Sequence, residues 1–261
     1  MSNTATSPHA HSRRRSPARR ALVTGASTGI GAATVRLMRA HGWDVVATAR
    51  RTERLKALAD ETGCQWVGAD LQVEADVERL ATTVLADGPV DAVVNNAGGA
   101  IGLDPVADGN PADWLTMYER NVLAALRVSQ AFLSGMRERG GDLLFLTSVA
   151  AYDAYPGGGG YVAAKHAERI IANTLRQELV GEPVRVIEVA PGIVATEEFS
   201  LNRFGGDKAK ADAVYAGIDP LTAEDIAECL VWALERPAHV NIDSMIVRPR
   251  AQATNTLVAR R

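Results

Sequence analysis

The sequence predicts an α/β fold: a single domain built on a doubly wound, mostly parallel seven-stranded sheet with helices on both faces. Short apolar runs alternate with longer amphipathic stretches over residues 21–250, without an internal linker or repeat. These runs are almost continuously apolar, which is typical of parallel strands covered on both faces. A glycine-rich segment, Thr24–Gly31, also follows the first apolar run directly. This is the place of a tight turn between a strand and a helix.

The strands and helices follow from the same pattern. The predicted strands are Ala21–Thr24, Val45–Thr48, Trp66–Gly68, Ala92–Val94, Leu143–Thr147, Val184–Val189 and Ser244–Val247. The amphipathic stretches that predict helices include Ala32–His41, Glu74–Ala86, Trp114–Arg139 and Tyr161–Leu179.

Three helix ends carry sequence signals. Gly42 stops the first helix, and Asn110-Pro111 supplies a cap and a first-turn proline for the third. Thr222-Ala-Glu-Asp225 resembles a capping box with Asp in place of Glu, ahead of an apolar stretch at Ile226–Leu234.

The composition restricts the class of protein. The chain has 261 residues, of which 47% are hydrophobic and 23% charged, and its formal net charge is −3. These values are typical of an ordinary globular protein and do not indicate a nucleic-acid or membrane partner. Cys64 and Cys229 are isolated, so we predict two small buried hydrophobic residues rather than a disulfide or a nucleophile, and no metal site. We expect a cytoplasmic protein.

The first residues differ from the rest of the chain. Residues 1–19 are rich in Ser, Pro, Ala and Arg, with clusters at Arg13–Arg15 and Arg19–Arg20. A secretion signal would continue into an apolar segment, whereas this chain continues into the first predicted strand. We therefore predict a disordered basic tail at 1–19 and one folded domain at 20–261.

The glycine-rich turn predicts a phosphate-binding site. Glycines let the backbone approach a pyrophosphate, and the N-terminus of the following helix offers free N–H groups. An ordinary tight turn is the alternative. The predicted cofactor-binding residues of this turn are Gly25, Ser27, Thr28, Gly29, Ile30 and Gly31.

The end of the second strand indicates which dinucleotide binds. An NAD enzyme carries an acidic residue there for the ribose 2′-OH. This chain has Ala49-Arg50-Arg51 and no acid. A guanidinium is well suited to a 2′-phosphate. We predict NADP(H), bound by Arg50 and Arg51, although either arginine could simply be solvated at the start of a helix.

Tyr161 and Lys165 predict the chemistry. They lie four residues apart, and so on one face of a helix, and Ser148 precedes Tyr161 by thirteen residues. A phenol has a pKa near 10, and a cation within ~4–6 Å favours its ionised form. Tyr152 and Tyr155 have no lysine four residues later. We predict that Tyr161 transfers a proton to or from a carbonyl or alcohol oxygen.

Together, these residues resemble the short-chain dehydrogenase/reductase family over nearly all of residues 20–250. The resemblance rests on Thr24–Gly31, Asp70, Asn95-Asn96-Ala97-Gly98, Asn121, Ser148, Tyr161, Lys165 and Pro191-Gly192. It implies a Rossmann fold and a homo-oligomer, either a dimer or a tetramer formed through the long helices.

The resemblance also implies a role for each catalytic residue. Tyr161 would be the general acid in reduction and the general base in oxidation. Lys165 would lower the pKa of Tyr161 and bind the nicotinamide ribose. Ser148 would orient the substrate oxygen, and Asn121 would help to hold a water molecule that relays protons.

Further cofactor contacts follow from the same resemblance. Asp70 would bind the adenine, assisted by the backbone amide of Leu71. Asn96, Ala97 and Gly98 would steady the sheet and line the adenosine ribose. The segment that closes on the nicotinamide would contribute Pro191, Gly192, Val194 and Thr196.

A subgroup of the family is closer still. Ala47–Leu55, Thr196–Asp207, Leu221–Asp225 and Pro237–Ile242 resemble NADP-dependent 3-hydroxy acid dehydrogenases, which act on serine, allo-threonine and related short acids. Clavulanate-type aldehyde reductases are similar over much of the same ground. Residues 152–160 differ from the subgroup in being unusually rich in glycine.

The substrate is the open question at this point. We predict a substrate lid at about residues 197–218, containing Arg203, Lys208 and Lys210. Arg203 would either bind a substrate carboxylate or be an exposed arginine on a mobile loop. The alternatives to a small 3-hydroxy acid are a neutral ketone or aldehyde and a 3-oxoacyl thioester. The alternative that is not an enzyme is an NADP-sensing regulator, which would need the glycine-rich turn but not Tyr161 and Lys165.

Overall fold

A computed structural model of the protein describes residues 18–261. Residues 1–17 of the predicted basic tail lie outside the described residues. Within residues 18–261, Arg19, the last residue of the predicted tail, contacts the domain. The Arg19 guanidinium lies 2.6 Å from Asp142 Oδ2 and donates to the Leu234 carbonyl oxygen at 2.8 Å. It also stacks 4.2 Å from the centroid of the Trp43 ring.

A seven-stranded sheet, parallel at every strand pair, forms the centre of the domain and confirms the predicted fold class. The strand order is β3-β2-β1-β4-β5-β6-β7. The strands are β1 Arg20–Thr24, β2 Asp44–Ala49, β3 Gln65–Gly68, β4 Ala92–Asn95, β5 Gly141–Leu146, β6 Val184–Pro191 and β7 Met245–Val247.

Helices cover both faces of this sheet. They are α1 Gly29–Ala40, α2 Thr52–Thr62, α3 Glu74–Ala86, α4 Pro111–Tyr118, α5 Ala124–Arg139, α6 Gly159–Glu178, α7 Phe199–Arg203, α8 Lys208–Ala213 and α9 Ala223–Leu234. Adjacent residues of β1 point to opposite sides: Val23 packs in a cluster with residues of α1 and α9, and Leu22 in a cluster with residues of α3, α5 and α6. The alternation is that of a strand buried on both faces.

The predicted helix Trp114–Arg139 is wrong in its continuity. It begins at Pro111, as the Asn110-Pro111 signal predicts, and the Asn110 side chain accepts a hydrogen bond from the Ala112 N–H at 3.0 Å. A π-helical turn at Glu119–Leu123 then separates α4 from α5. Such turns insert an extra residue into a helix and occur frequently at functional sites. Asn121 lies in the middle of this turn.

The other two end signals are confirmed. Gly42 follows α1 with a φ of +86°. Thr222 and Asp225 exchange two hydrogen bonds at 2.7 and 3.1 Å, which completes the predicted capping box at the start of α9. None of the helices in residues 18–261 has the length and apolar character to cross a membrane.

Candidate active site

A cavity of about 1100 Å³ lies at the carboxyl end of the sheet. The strand order reverses there between β1 and β4, which is where open α/β sheets bind ligands. All but two of the predicted site residues line the cavity; the exceptions are Gly31 and Asn121. The fold therefore brings into one space residues that are spread from Gly25 to Thr196 in the sequence.

The glycine-rich turn forms a close-fitting edge of this cavity. Gly25 has a φ of +63°, and a Cβ atom built on it would lie 2.9 Å from the Ala97 Cα. The Asn96 side chain ties this turn to the end of β4 by donating to the carbonyl oxygens of Thr24 at 2.7 Å and Gly25 at 3.2 Å. Only a residue without a side chain fits here, and the backbone is left open to a ligand.

Gly31 has a packing position instead. A Cβ atom on it would lie 2.5 Å from the Gly25 carbonyl oxygen, so its missing side chain lets α1 approach the turn. Gly31 therefore does not line the cavity but packs against Gly25, which does.

Two arginines face the cavity without an acidic partner among the described residues. Arg50 is exposed, with neither a hydrogen bond nor an ion pair in that part of the chain. Arg120 is half-buried, and its Nε atom is buried with no hydrogen-bond partner. Burial and the neighbouring Arg50 lower the pKa of Arg120, and the Asp70 carboxylate only partly opposes this. Two adjacent guanidinium groups in a cavity fit an anion such as a phosphate.

Arg51 differs from Arg50, because a residue of the predicted lid already pairs with it. Its guanidinium lies 2.6 Å from Glu198 Oε1 and also donates to the Ser27 hydroxyl at 2.9 Å. Arg54 binds Glu197 at 3.0 Å and Glu198 at 3.1 Å. These ion pairs connect Glu197 and Glu198, at the start of the predicted lid, to Arg54 on α2 and to Arg51 at its N-cap.

Ser148, Tyr161 and Lys165 line the same cavity and lie close together. Ser148 follows β5, and its Oγ accepts a hydrogen bond from the Ala150 N–H at 3.1 Å, which fixes the side chain. Tyr161 and Lys165 lie on the first turns of α6 and are almost fully buried. Lys165 Nζ lies 6.0 Å from the centroid of the Tyr161 ring.

The pKa of Tyr161 differs from the sequence-based expectation. Burial raises this pKa above its ordinary value, and Lys165 and the Ser148 hydroxyl lower it by less. Lys165 lowers the pKa of Tyr161 as expected, but the loss of solvent around the buried phenol raises this pKa by more. The sequence predicted the neighbouring Lys165 but not how deeply Tyr161 is buried.

Lys165 is held by two acceptors. Its Nζ donates to the Leu146 carbonyl oxygen at 3.0 Å and to Glu168 Oε2 at 2.6 Å. An ammonium group has three N–H donors, so one remains for a ligand.

Asn121 lies behind the cavity rather than in its wall. Its side-chain amide donates to the carbonyl oxygens of Gly99 and Met117 and accepts from the Gly99 N–H at 3.1 Å. A Cβ atom built on Gly98 would lie 2.5 Å from Asn121 Oδ1 and 3.5 Å from Lys165 Nζ. Asn121 and Lys165 therefore both lie on the side of Gly98 to which a side chain would project.

Comparison with known proteins agrees with this geometry. The short chain dehydrogenase family model matches residues 19–203. The chain belongs to the short chain dehydrogenase family. An uncharacterized oxidoreductase of Mycobacterium tuberculosis is 51% identical over 235 residues, covering 90% of this chain and 92% of that protein. A serine 3-dehydrogenase of Agrobacterium fabrum is 38% identical, covering 89% and 94%.

Two further relatives carry specific names. An NADP-dependent 3-hydroxy acid dehydrogenase of Salmonella typhi is 40% identical over 236 residues, covering 89% of this chain and 95% of that protein. Among solved structures, the closed form of a serine dehydrogenase complexed with NADP⁺ superposes with a TM-score of 0.88 and 37% identity. That match covers 93% of this chain and 99% of the other. The expected family resemblance is confirmed.

Within this short chain dehydrogenase, Arg203 is half-buried beside Tyr161 rather than exposed on a loop. Its guanidinium carbon lies 5.7 Å from the centroid of the Tyr161 ring. The side chain donates to the Gly102 carbonyl oxygen and to the Tyr155 hydroxyl, both at 3.0 Å. No carboxylate of residues 18–261 forms an ion pair with it. The cation is therefore available to a ligand in the cavity.

Sequence reasoning missed several contributors to the site. Arg120 could have been noticed as an arginine directly before Asn121. Glu198 and Arg260 gave no local signal. Arg260 donates to the carbonyl oxygens of Val214 and Ala216, which lie in the predicted lid. Glu168 lies three residues after Lys165, a helical spacing that could have been noticed, although the sequence alone did not indicate its burial.

Proposed function

We propose that this short chain dehydrogenase is an NADP(H)-dependent oxidoreductase that interconverts an alcohol and a carbonyl group, with a small 3-hydroxy acid as substrate. The glycine turn, with its space for a pyrophosphate, and the Arg50–Arg120 pair support NADP(H). The names of the relatives point to the same cofactor and to short hydroxy acids. When bound, the nicotinamide accepts a hydride from the alcohol carbon or donates one to the carbonyl carbon.

The observation that supports an acidic substrate most directly is the position of Arg203. A guanidinium next to Tyr161, without a carboxylate partner among the described residues, can bind a substrate carboxylate through charge-assisted hydrogen bonds. The distance between a carboxylate and a 3-hydroxyl group is short. Such a substrate could therefore reach Arg203 and Tyr161 at once, as a compact neutral ketone could not.

In the proposed reaction Tyr161 exchanges the proton. In reduction, its hydroxyl gives a proton to the carbonyl oxygen while Ser148 donates a hydrogen bond to the same oxygen. In oxidation, the phenolate takes the proton of the substrate hydroxyl. Lys165 stays positively charged beside Tyr161 and stabilises the phenolate, and its third N–H can bind the cofactor ribose. Asn121 helps to hold a water molecule that exchanges protons with the Lys165 ammonium, and Tyr161 regains or releases its proton by way of Lys165.

The quaternary structure and location are part of the same proposal. Leu115 on α4 and Ile170 on α6 are exposed apolar residues, 63% and 56% accessible. They support a homo-oligomer, a dimer or tetramer, with these helices at its contact. We propose that the enzyme works in the cytoplasm.

A substrate panel tests the function. NADP⁺ reduction would be followed by absorbance with L-serine, L-allo-threonine and 3-hydroxypropionate, and NADPH oxidation with neutral ketones and aldehydes. Turnover of the hydroxy acids is expected. Turnover of neutral carbonyls alone would retain the chemistry and contradict the substrate class. NADPH binding without turnover would favour the sensing regulator.

Replacing Arg203 is expected to act on acidic substrates selectively. The Arg203→Gln variant should raise the KM for a hydroxy acid about 10–100-fold, because it removes a charge-assisted hydrogen bond. Its kinetics with a neutral carbonyl should change much less. Lys208→Gln is the matched control, because Lys208 is a lid cation that is 80% exposed and paired with Asp212. Equal effects of Arg203→Gln on acidic and neutral substrates would rule out a carboxylate contact.

A further inference from the structure

A buried carboxylate lies directly behind the predicted acid–base pair. Glu168 is on α6, one turn after Lys165, and its side chain is fully buried. Its Oε2 atom accepts a hydrogen bond from Lys165 Nζ at 2.6 Å. Nothing in the proposed reaction so far uses this residue.

The geometry of the pair is not that of an optimised structural salt bridge. Glu168 Oε1 is buried and has no hydrogen-bond partner among residues 18–261. A buried carboxylate with an unsatisfied oxygen is costly, and apolar residues of similar volume often stabilise a core better than a buried ion pair does. Stability alone therefore gives no physical reason for a carboxylate at this position.

The charges around Glu168 come from two elements. Lys165 and Tyr161 lie on its own helix, and Glu188 faces the pair from β6. Glu188 is bound by the Thr147 hydroxyl at 2.7 Å and by the Tyr152 hydroxyl at 2.9 Å, with Arg169 at 3.8 Å. Glu188 is thus held by its own partners, whereas Lys165 is the only partner of Glu168 within residues 18–261.

These groups influence one another's ionisation. Burial raises the pKa of Glu168 to about 7, although Lys165 lowers it. Burial lowers the pKa of Lys165, but Glu168 and Tyr161 raise it above its ordinary value. The Glu168 charge also opposes the effect of Lys165 on Tyr161 and raises the pKa of the phenol.

We propose that Glu168 is a positioning residue for the acid–base reaction: its carboxylate holds the Lys165 ammonium and partly neutralises it, and so determines the pH at which Tyr161 changes its protonation state. This inference rests on the proposed function of Tyr161 and Lys165. It adds a fifth residue to the predicted set and connects the reaction to a carboxyl group that can gain or lose its charge near neutral pH.

The Glu168→Gln variant tests the charge, because glutamine has the same shape and can still accept the Lys165 hydrogen bond. Without the carboxylate, the Lys165 charge is no longer offset and the pKa of Tyr161 falls. The rising limb of kcat/KM against pH in alcohol oxidation is therefore expected to move to lower pH by about one unit. Glu188→Gln is the matched control and should move it by less, because Glu188 is bonded to Thr147 and Tyr152 instead.

A pH profile of Glu168→Gln that coincides with that of the wild type would overturn the inference, whether or not kcat falls. Glu168→Asp is a second test if the glutamine variant does not fold: it keeps the charge farther from Nζ, and its profile should shift in the same direction by less. Tyr161→Phe separates the two proposals. If it keeps full turnover, the proposed function fails; if it is inactive and the Glu168→Gln profile is unchanged, only the role of Glu168 fails.

Discussion

The Tyr161→Phe variant is expected to turn over its substrate about 10²–10⁴ times more slowly than the wild type, because it removes the group that exchanges the proton. The phenyl ring is retained, so the edge-to-face contact with Phe199, with ring centroids 5.9 Å apart, should persist. The loss should therefore appear in kcat, with little change in NADPH affinity. Steady-state kinetics and a fluorescence titration with NADPH would measure the two quantities separately.

Tyr155→Phe is the control for this variant. Tyr155 lies in the same cavity and binds Arg203 through its hydroxyl, but no lysine accompanies it on a helix. Its removal should affect substrate binding more than kcat. If Tyr161→Phe kept more than a tenth of the wild-type kcat, or if Tyr155→Phe were the inactive variant, the assignment of the proton donor would be wrong.

Replacing both Arg50 and Arg120 by glutamine is expected to weaken NADP⁺ binding about 10²–10³-fold, because each arginine would lose a charge-assisted hydrogen bond to the 2′-phosphate. NAD⁺ lacks this phosphate, so its affinity should change by less than about threefold. Isothermal titration with NADP⁺, NAD⁺ and adenosine 2′,5′-bisphosphate would measure the difference without any turnover.

Arg127→Gln is the matched control for the arginine pair. Arg127 is also on the α5 side of the domain, but it pairs with Glu119 at 3.1 Å and does not line the cavity. Arg51→Gln should have a smaller effect on NADP⁺ than the double variant, since Glu198 already binds Arg51. An equal loss of NADP⁺ and NAD⁺ affinity would show that the two arginines contact a part common to both dinucleotides.

The sequence by itself determined the fold class, the seven strands, the caps at Asn110 and Thr222 and the family. These follow from local patterns: apolar runs, turn residues and fixed spacings such as Tyr161 to Lys165. The local patterns did not predict the π-helical turn around Asn121. In this turn the Asn121 side chain bonds to the Gly99 backbone, which comes from a different part of the chain, and a helical periodicity carries no record of such a contact.

Only the tertiary structure decided which charges are paired and which are buried. Arg50 and Arg51 are adjacent in the sequence, but in the fold Arg51 forms an ion pair with Glu198, whereas Arg50 lies beside Arg120. The fold likewise brings Arg203 next to Tyr161 and buries Glu168 against Lys165. The physical reason is that the energy of a charge depends on the solvent and partners around it. Those partners are distant in the sequence and become neighbours only when the sheet and its covering helices assemble.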